Sequence, residues 1–555
     1  MTESVATERG WQPHGPNDGH PRRWAILSVL VVSLLVVVLD NTVLNIALPT
    51  IQRDLGADQS ELVWAVDAYI LSFAALLFTW GVLGDRYGRR RILMIGLSLF
   101  AAASAICAFS VNAQMLIGFR ALMGVGGAAV LPVTLAIITV VFPRHERGKA
   151  IGAWAGAVGA AVALGPVLGG LLLQNPQWSQ WLTGNAWGSV FLINVPIVAV
   201  GLVGIARVVP ETLNPNPQRL DLQGLVVSVV GLVSLIFGII HASETKQWLT
   251  PSVLVPIVFG LVVLAIFVIL EARSDHRSFD VSLFRNRGYA VSLTAVSLAF
   301  FALSGITFSL PFYLQVLRGY DTLHAGLSFI PFAVGQLIAA PRSAAMVVRF
   351  GYRWVMTGGL AVVAVSLYGL ATIDLTTPVW LVLSMFFGFG FGMGNVIAPA
   401  STVMQNVLPL GRAGAGSAVQ NTVRQVFGAF GVAVIGTLLA TTYASNVASS
   451  LSELPPSAQT VAEDSVIATV RVLDAAAAQG APAELVDQAR QGAYEAFLDA
   501  AHLTSTISAT VVLLAAVIVG VFLPFIAPPR KGDGAPEENP DQVTSGPGAP
   551  GVADD

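Results

Sequence analysis

The stretch Gly81-Val82-Leu83-Gly84-Asp85-Arg86-Tyr87-Gly88-Arg89-Arg90-Arg91 closes one apolar run and opens the next, and its centre returns 263 residues later as Arg349-Phe350-Gly351-Tyr352-Arg353. A basic turn between two apolar runs is the connection of a helical hairpin. Its glycine permits a tight bend and its arginines stay outside hydrocarbon. Recurrence at a fixed offset marks an internal repeat. The same offset lays the first five apolar runs of the chain on five runs of its second half. Two further runs, within 211–275, are left over between the halves, and the segment 444–501 stands inserted before the last run.

The 555 residues are 55% hydrophobic and 11% charged, with a mean hydropathy of +0.73. Soluble domains carry about 25% charged residues, so a single water-soluble globule is excluded, as are coiled coils and disordered polymers. A span needs about 20 apolar residues, and fourteen such runs lie between residues 24 and 527. Lipid requires internally satisfied backbone, and no barrel-like alternation is present, so the runs are predicted α-helices. The expected fold is an all-α integral membrane protein of 14 transmembrane helices in a 6+2+6 plan with two pseudo-symmetric halves. Its parts are an N-terminal six-helix half at 23–210, a two-helix linker at 211–275 and a C-terminal six-helix half at 276–527. Gly- and Pro-rich tails, expected to be disordered, occupy 1–22 and 528–555.

Placement of charge sets the orientation. With the N-terminus cytoplasmic, 22 of the 29 Lys and Arg residues fall on the inner side, five on the outer side, and Arg120 and Arg424 within spans. That bias predicts a multi-pass cell-membrane protein with both termini inside. The first run, Trp24 to Leu48, is too long for the apolar part of a signal peptide and reads as a retained helix. A net charge of −3 gives no general attraction to nucleic acid, and Cys107 alone permits neither an intramolecular disulfide nor a cysteine metal cluster. No metal, cofactor or enzyme site is expected, since the seven histidines are scattered and no phosphate-cradling loop or nucleophile triad is visible. The insert carries eight acidic against two basic residues and Pro455-Pro456. It reads as a helical hairpin at the outer mouth, either a passive lid or a cation-attracting vestibule.

Ionisable side chains inside hydrocarbon are costly and mark function by default. Asp40 lies roughly 12 Å from the outer end of its run, and Asp67 and Arg120 roughly 9 Å from theirs, at 1.5 Å per residue. All three are therefore expected in one layer of the outer half. A carboxylate there gains and loses a proton as it moves between wet and dry, or paired and unpaired, surroundings. Asp40 and Arg120 are either such a proton-coupling pair or a static ion pair, and Asp67 either joins them or is structural.

The run 149–173 carries Gly156, Gly159, Gly165-Pro166 and Gly169-Gly170, a small-residue side with a proline bend. Gly81 to Arg91 resembles motif A of the major facilitator superfamily, and Leu116, Arg120, Gly124, Gly126, Gly127, Ala128 and Ala129 resemble its motif B. Gly156 to Gly170 is similar to motif C, the antiporter motif. Leu39-Asp40-Asn41-Thr42-Val43-Leu44-Asn45-Ile46-Ala47-Leu48-Pro49 resembles the first-helix motif of the fourteen-helix drug:proton antiporters, the EmrB/QacA type. The resemblance implies alternating access by rocking halves, with export driven by inward proton flow. It assigns proton coupling to Asp40, Asp67 and Arg120, and a conformational latch to Gly81, Asp85, Arg86, Gly88, Arg89 and Arg90. To Gly165-Pro166 it assigns a bend favouring antiport. Two departures stand out: Trp187-Gly188-Ser189 replaces the usual Trp-Arg-Trp, and Val347-Val348 stand where the first half has Gly84-Asp85.

The run 413–443 presents Gln420, Asn421, Arg424 and Gln425 as a polar stripe, and the run 288–316 presents Phe301, Phe308 and Phe312 on one face beside Tyr313. The phenylalanines are either packing or an aromatic wall opposite the stripe. A cavity of that kind suits an amphipathic small molecule, and the acids lean it toward cations. Arg424 either binds an anionic group or pairs internally. The expected activity is proton-coupled export of amphipathic drugs or secondary metabolites by a monomer in the lipid bilayer. A proton-linked carrier of a specific metabolite or lipid-like molecule, and a non-transporting membrane sensor, are the rivals.

Overall fold

A computed structural model of the chain describes residues 19–56, 59–212, 221–273, 281–408, 413–452, 454–463 and 465–526. The expected tails lie outside these residues, apart from the short stretch 19–22.

The order is all helical. The first group comprises α1 (Arg23–Leu55), α2 (Gln59–Tyr87), α3 (Arg89–Cys107), α4 (Ala113–Gly127), α5 (Val130–Val141) and α6 (Arg144–Gln174). Short α7 (Gln177–Thr183) and α8 (Gly188–Leu192) then lead into α9 (Asn194–Val208). Two helices follow, α10 (Leu222–Thr245) and α11 (Pro251–Arg273). The last group is α12 (Arg287–Phe312), α13 (Thr322–Leu327), α14 (Ile330–Leu370), α15 (Val379–Val407), α16 (Ala413–Val447), α17 (Pro456–Ala462), α18 (Val466–Ala478) and α19 (Ala483–Phe522). Apart from α6, which packs chiefly on α14, and α13, which packs on α6, the helices of each group pack mainly on one another. The groups meet along α2 with α16 and α6 with α14, and α10 touches both α2 and α16.

Among the described residues, twelve helices are long and apolar enough to cross a membrane, against the fourteen runs of the sequence. One of the twelve, His324–Leu370, includes α14, whose Gly351 breaks helical geometry at φ 80° and ψ 160°. Gly351 is the repeat partner of Gly88, which takes φ 106° between α2 and α3. L side chains rarely adopt such a backbone, so the two echoed turns share a conformation as well as a sequence. The 31-residue α6 is not among the twelve.

The run 114–141 is one span, Ala113–Val141, in which α4 and α5 meet at the fully buried Ala128-Ala129. The insert contains a helical hairpin, α18 against the start of α19, but the last span begins earlier than the sequence reading puts it. The second part of the insert is helix α19 itself, which begins at Ala483, well before the predicted span at 502, and buries Ala489, Ala493, Ala496, Phe497 and Ala500 along one side. That spacing is a helical stripe, and an alanine-rich sequence sustains it outside the apolar run. Against this extension α18 sets Leu473, beside Val486 and Ala489, while Thr469 bonds the Tyr443 hydroxyl of α16 at 2.5 Å.

Candidate functional site

Six helices of the first group converge on one buried polar network. Arg120 of α4 places Nη1 2.5 Å from Asp40 Oδ2 of α1, and its Nε donates to the Ala65 carbonyl of α2 at 3.1 Å. The other carboxylate oxygen, Oδ1, accepts from Asn194 Nδ2 of α9 at 2.7 Å. The same nitrogen lies 3.0 Å from Ser104 Oγ of α3, which donates onward to the Phe191 carbonyl at 2.9 Å. The guanidinium also lies over the Tyr69 ring, 4.4 Å from its centre. Asp40 and Arg120 are sealed from solvent. Asn194, Ser104 and Tyr69 were not marked from the sequence, although an amide within the predicted span 187–208 is the same kind of signal that singled out Asp40.

Asp67 does not join this network. It is half-buried on α2, and Glu244 of α10 lies within its electrostatic reach. Beside them Trp64 of α2 and Phe237 of α10 pack at 5.9 Å, Phe237 stacks on His241 at 6.0 Å, and His241 Nδ1 meets Glu244 Oε2 at 3.3 Å. Asp67 thus lies at the level of the pair, between Ala65 and Tyr69 of α2, but on another face of the helix, as a separate acid toward the two-helix linker.

At the other end of α2, Asp85 joins the two groups. Its Oδ1 takes Arg89 Nη2 at 2.6 Å and Nε at 2.9 Å, together with the Gly414 amide at 3.0 Å, and its Oδ2 takes the Ala415 amide at 2.9 Å. Those amides open α16, whose unsatisfied N–H groups and positive dipole end suit a carboxylate. A Cβ on Gly81 would stand 2.5 Å from the Gly414 carbonyl oxygen, so this approach requires glycine. Behind the latch, Glu211 accepts the amides of Arg90 at 3.0 Å and Arg91 at 3.3 Å, and the Arg89 amide donates to the Thr212 carbonyl. Burial pushes the Glu211 carboxyl above its usual range, with the three backbone donors pulling the other way. Arg90 also reaches the Ala206 carbonyl, and Arg86 lies over the Tyr87 ring. Further bonds across the groups run from Thr139 to Gln405 at 3.1 Å and from Arg147 to Asn406 at 3.2 Å.

Motif C faces the other group as well. Gly156 lies against Leu337 of α14, and Gly159 against Gln336, whose Nε2 donates to the Ala155 carbonyl at 2.8 Å. Gly152, one turn earlier, abuts the Ala340 backbone. Gly165 instead packs on Thr42 of α1, two residues from Asp40. Gly169 is buried and Gly170 half-buried, and the Pro166 side chain falls outside the described ones.

The polar stripe and the phenylalanines do not face each other. Phe308 lies against Gly436, four turns beyond Gln420, and Phe312 packs between Phe308 and Phe497. Helical spacing assigns a face but not a depth, and these rings occupy the far part of α12. Gln420 Nε2 donates to Ser401 Oγ at 2.6 Å, and Asn421 Nδ2 to the Ser417 carbonyl at 2.8 Å, so both amides brace α16. Arg424 is buried, 4% exposed, with Phe300 of α12 under its guanidinium at 4.7 Å. Among the described residues no acceptor reaches it, and its Nε is a sealed, unpartnered donor. A desolvated cation–π contact is worth about 2 kcal/mol, whereas taking an ion out of water costs several kcal/mol.

The family model of the Major Facilitator Superfamily matches residues 30–432. The chain is 34% identical over 501 residues to the multidrug efflux pump LfrA of Mycolicibacterium smegmatis, covering 90% of this chain and 96% of that one. It is 32% identical over 429 residues to the methyl viologen resistance protein SmvA of Salmonella typhimurium, covering 77% and 84%. Identity to the probable actinorhodin transporter of Streptomyces coelicolor is 35% over 451 residues, covering 78% and 76%. In fold it resembles the human organic anion transporter MFSD10, with a TM-score of 0.59 at 15% identity, covering 90% of this chain and all of that one. The chain belongs to the major facilitator superfamily, a family of membrane transporters and not of enzymes.

Proposed function

We propose that the chain is a proton-coupled antiporter that exports amphipathic drugs or secondary metabolites across the cell membrane by alternating access. The observation carrying this reading is the Asp40–Arg120 pair, closed at 2.5 Å inside one group of helices. Replacing a buried ion pair by apolar residues is often neutral or stabilising, so stability alone gives no reason to keep one. A carboxylate that can trade its arginine for a proton is a reason. Asp85 supplies the second requirement, a charge contact between the groups that can break and reform, and the identity to a multidrug efflux pump and to a methyl viologen resistance protein supports outward drug transport.

In this reading Asp40, Asp67 and Arg120 handle the proton. Gly81, Asp85, Arg86, Gly88, Arg89 and Arg90 form the latch. Gly156 and Gly159 hold the seam against α14, Gly165 sets α6 against α1, and Pro166, Gly169 and Gly170 complete the antiporter motif. The protein works as a monomer with both termini in the cytoplasm. It has fourteen spans, 6+2+6: counting the two arms of α14 separately at Gly351, and adding α6, supports that number. The test is purified protein in proteoliposomes under an imposed pH gradient, with a dye panel. Gradient-driven dye uptake that Asp40→Asn abolishes, while the variant stays folded and inserted, is the expected result. Full transport by Asp40→Asn overturns the assignment.

A further inference from the structure

Four arginines of the described residues are buried: Arg89, Arg120, Arg147 and Arg424. Three have their acceptors inside the protein. Arg89 holds Asp85, Arg120 holds Asp40, and Arg147 donates to the Phe142 carbonyl and to Asn406. Arg424 has none among the described residues; its neighbour is the face of Phe300. One turn below it, Asn421 leaves Oδ1 as a sealed acceptor without a partner.

We infer that Arg424 is the recognition point for an acidic group, a carboxylate or comparable oxyanion, on an amphipathic aromatic substrate. The inference rests on the export reading and names the substrate class of that site. A guanidinium offers five N–H donors in a planar fork that matches a carboxylate in two parallel bonds. The centre of the Phe300 ring lies 4.7 Å from the guanidinium carbon, and the ring offers no lone pair to its N–H donors. Asp40 does not redirect the site toward cations, because Arg120 and Asn194 already occupy both of its oxygens. Of the charges that the sequence left undecided, Asp40 is satisfied internally by Arg120 and Asn194, Asp67 faces Glu244 of the two-helix linker, and Arg424 of the second group waits for a counter-ion. The substrate brings it.

The test is equilibrium binding of 1-pyrenebutyrate and of the neutral 1-pyrenebutanol to the purified full chain in nanodiscs, with no pH gradient. The wild type is expected to bind the acid on the order of 10- to 100-fold more tightly, the range of a hydrogen bond to a charged group. Arg424→Gln is expected to erase that preference and leave the alcohol unchanged, and Arg424→Lys to retain part of it. Equal binding of both probes by the wild type, or binding of neither, overturns the proposal. So does an Arg424→Gln variant that keeps the preference. If Arg424→Gln does not fold, Arg424→Lys decides: loss confined to the acid supports the site, and equal loss of both probes overturns it. Binding without a gradient also separates this claim from the function. A chain that prefers the acid but exports nothing in exchange for protons refutes only the antiport, and one that exports both probes alike refutes only the role of Arg424.

Discussion

The Asp85 carboxylate of α2 caps α16, taking the Ala415 amide at 2.9 Å and the Gly414 amide at 3.0 Å while Arg89 grips it from its own side. A single carboxylate therefore bonds both the turn after α2 and the helix end of the opposite group. Asp85→Asn keeps the shape and removes the charge, and a hydrogen bond to a charged group is worth about 1.5–3 kcal/mol. The opening it controls is read by maleimide labelling of Thr139→Cys in a Cys107→Ser background, since Thr139 is fully buried against Gln405 across the seam. Labelling is expected to rise by about tenfold or more in the Asp85→Asn protein. An unchanged rate would show that the cap does not hold the groups together.

Asn194 gives the second prediction. It is the donor to the Asp40 oxygen that Arg120 does not take, and its nitrogen also lies beside Ser104. Asn194→Leu fills similar space and strands a buried carboxylate oxygen, a loss of about 1.5–3 kcal/mol. Ser104→Ala leaves the Asp40 contact in place and should cost about 1 kcal/mol. Thermal unfolding in detergent checks the order: the leucine variant should melt clearly below the alanine one. The reverse order would mean that Asn194 serves Ser104 rather than Asp40.

How far this was readable from sequence differs by level. Apolar length and the placement of arginine located the helices, and the Gly88 and Gly351 turns matched in backbone as well as in sequence, because both signals are local. Depth and rotation about a helix axis are not local. Asp67 and Tyr69 are two residues apart on α2, yet one faces Glu244 and the other lies under Arg120. Phe308 and Gln420, paired by helical spacing, miss one another by four turns of α16, and Gln420 turns to Ser401 of α15. Partners from distant segments, Asn194 for Asp40 and Glu211 for the amides after Gly88, carry no spacing pattern that could announce them.

Glu211 yields a pH dependence. Its carboxyl sits above the usual range because burial disfavours the charge. A carboxyl raised in the folded state binds more protons folded than unfolded, so its contribution to stability is present at low pH and falls as pH rises through the raised value. The melting temperature of the wild type relative to Glu211→Gln should therefore decline between mildly acidic and neutral pH. Glu211→Ala instead removes the acceptor of the Arg90 and Arg91 amides at every pH, a loss of about 1–3 kcal/mol. A wild-type-to-glutamine difference that grows with pH would reverse the sign and place the ion pair with Arg91, not burial, in control.

The seam between α6 and α14 allows a contrast between two glycines. A Cβ on Gly152 would come 2.4 Å from the Ala340 carbonyl oxygen, a backbone atom inside a packed helix. A Cβ on Gly159 would come equally close to Gln336 Oε1, the far end of a side chain that can swing. Gly152→Ala must therefore move the helices apart, and overpacking of this kind costs about 1–3 kcal/mol. Gly159→Ala can be absorbed by rotating Gln336, at the cost of its bond to the Ala155 carbonyl, about 0.5–1.5 kcal/mol. Cysteine cross-linking between Gly148 and Ala344, whose backbones face each other one turn along, measures the separation directly. The cross-link should form fast in the parent and in Gly159→Ala and slowly in Gly152→Ala. Equal rates in all three would mean that the seam yields to an added methyl anywhere, and that the glycines of this helix are there for reasons other than close approach.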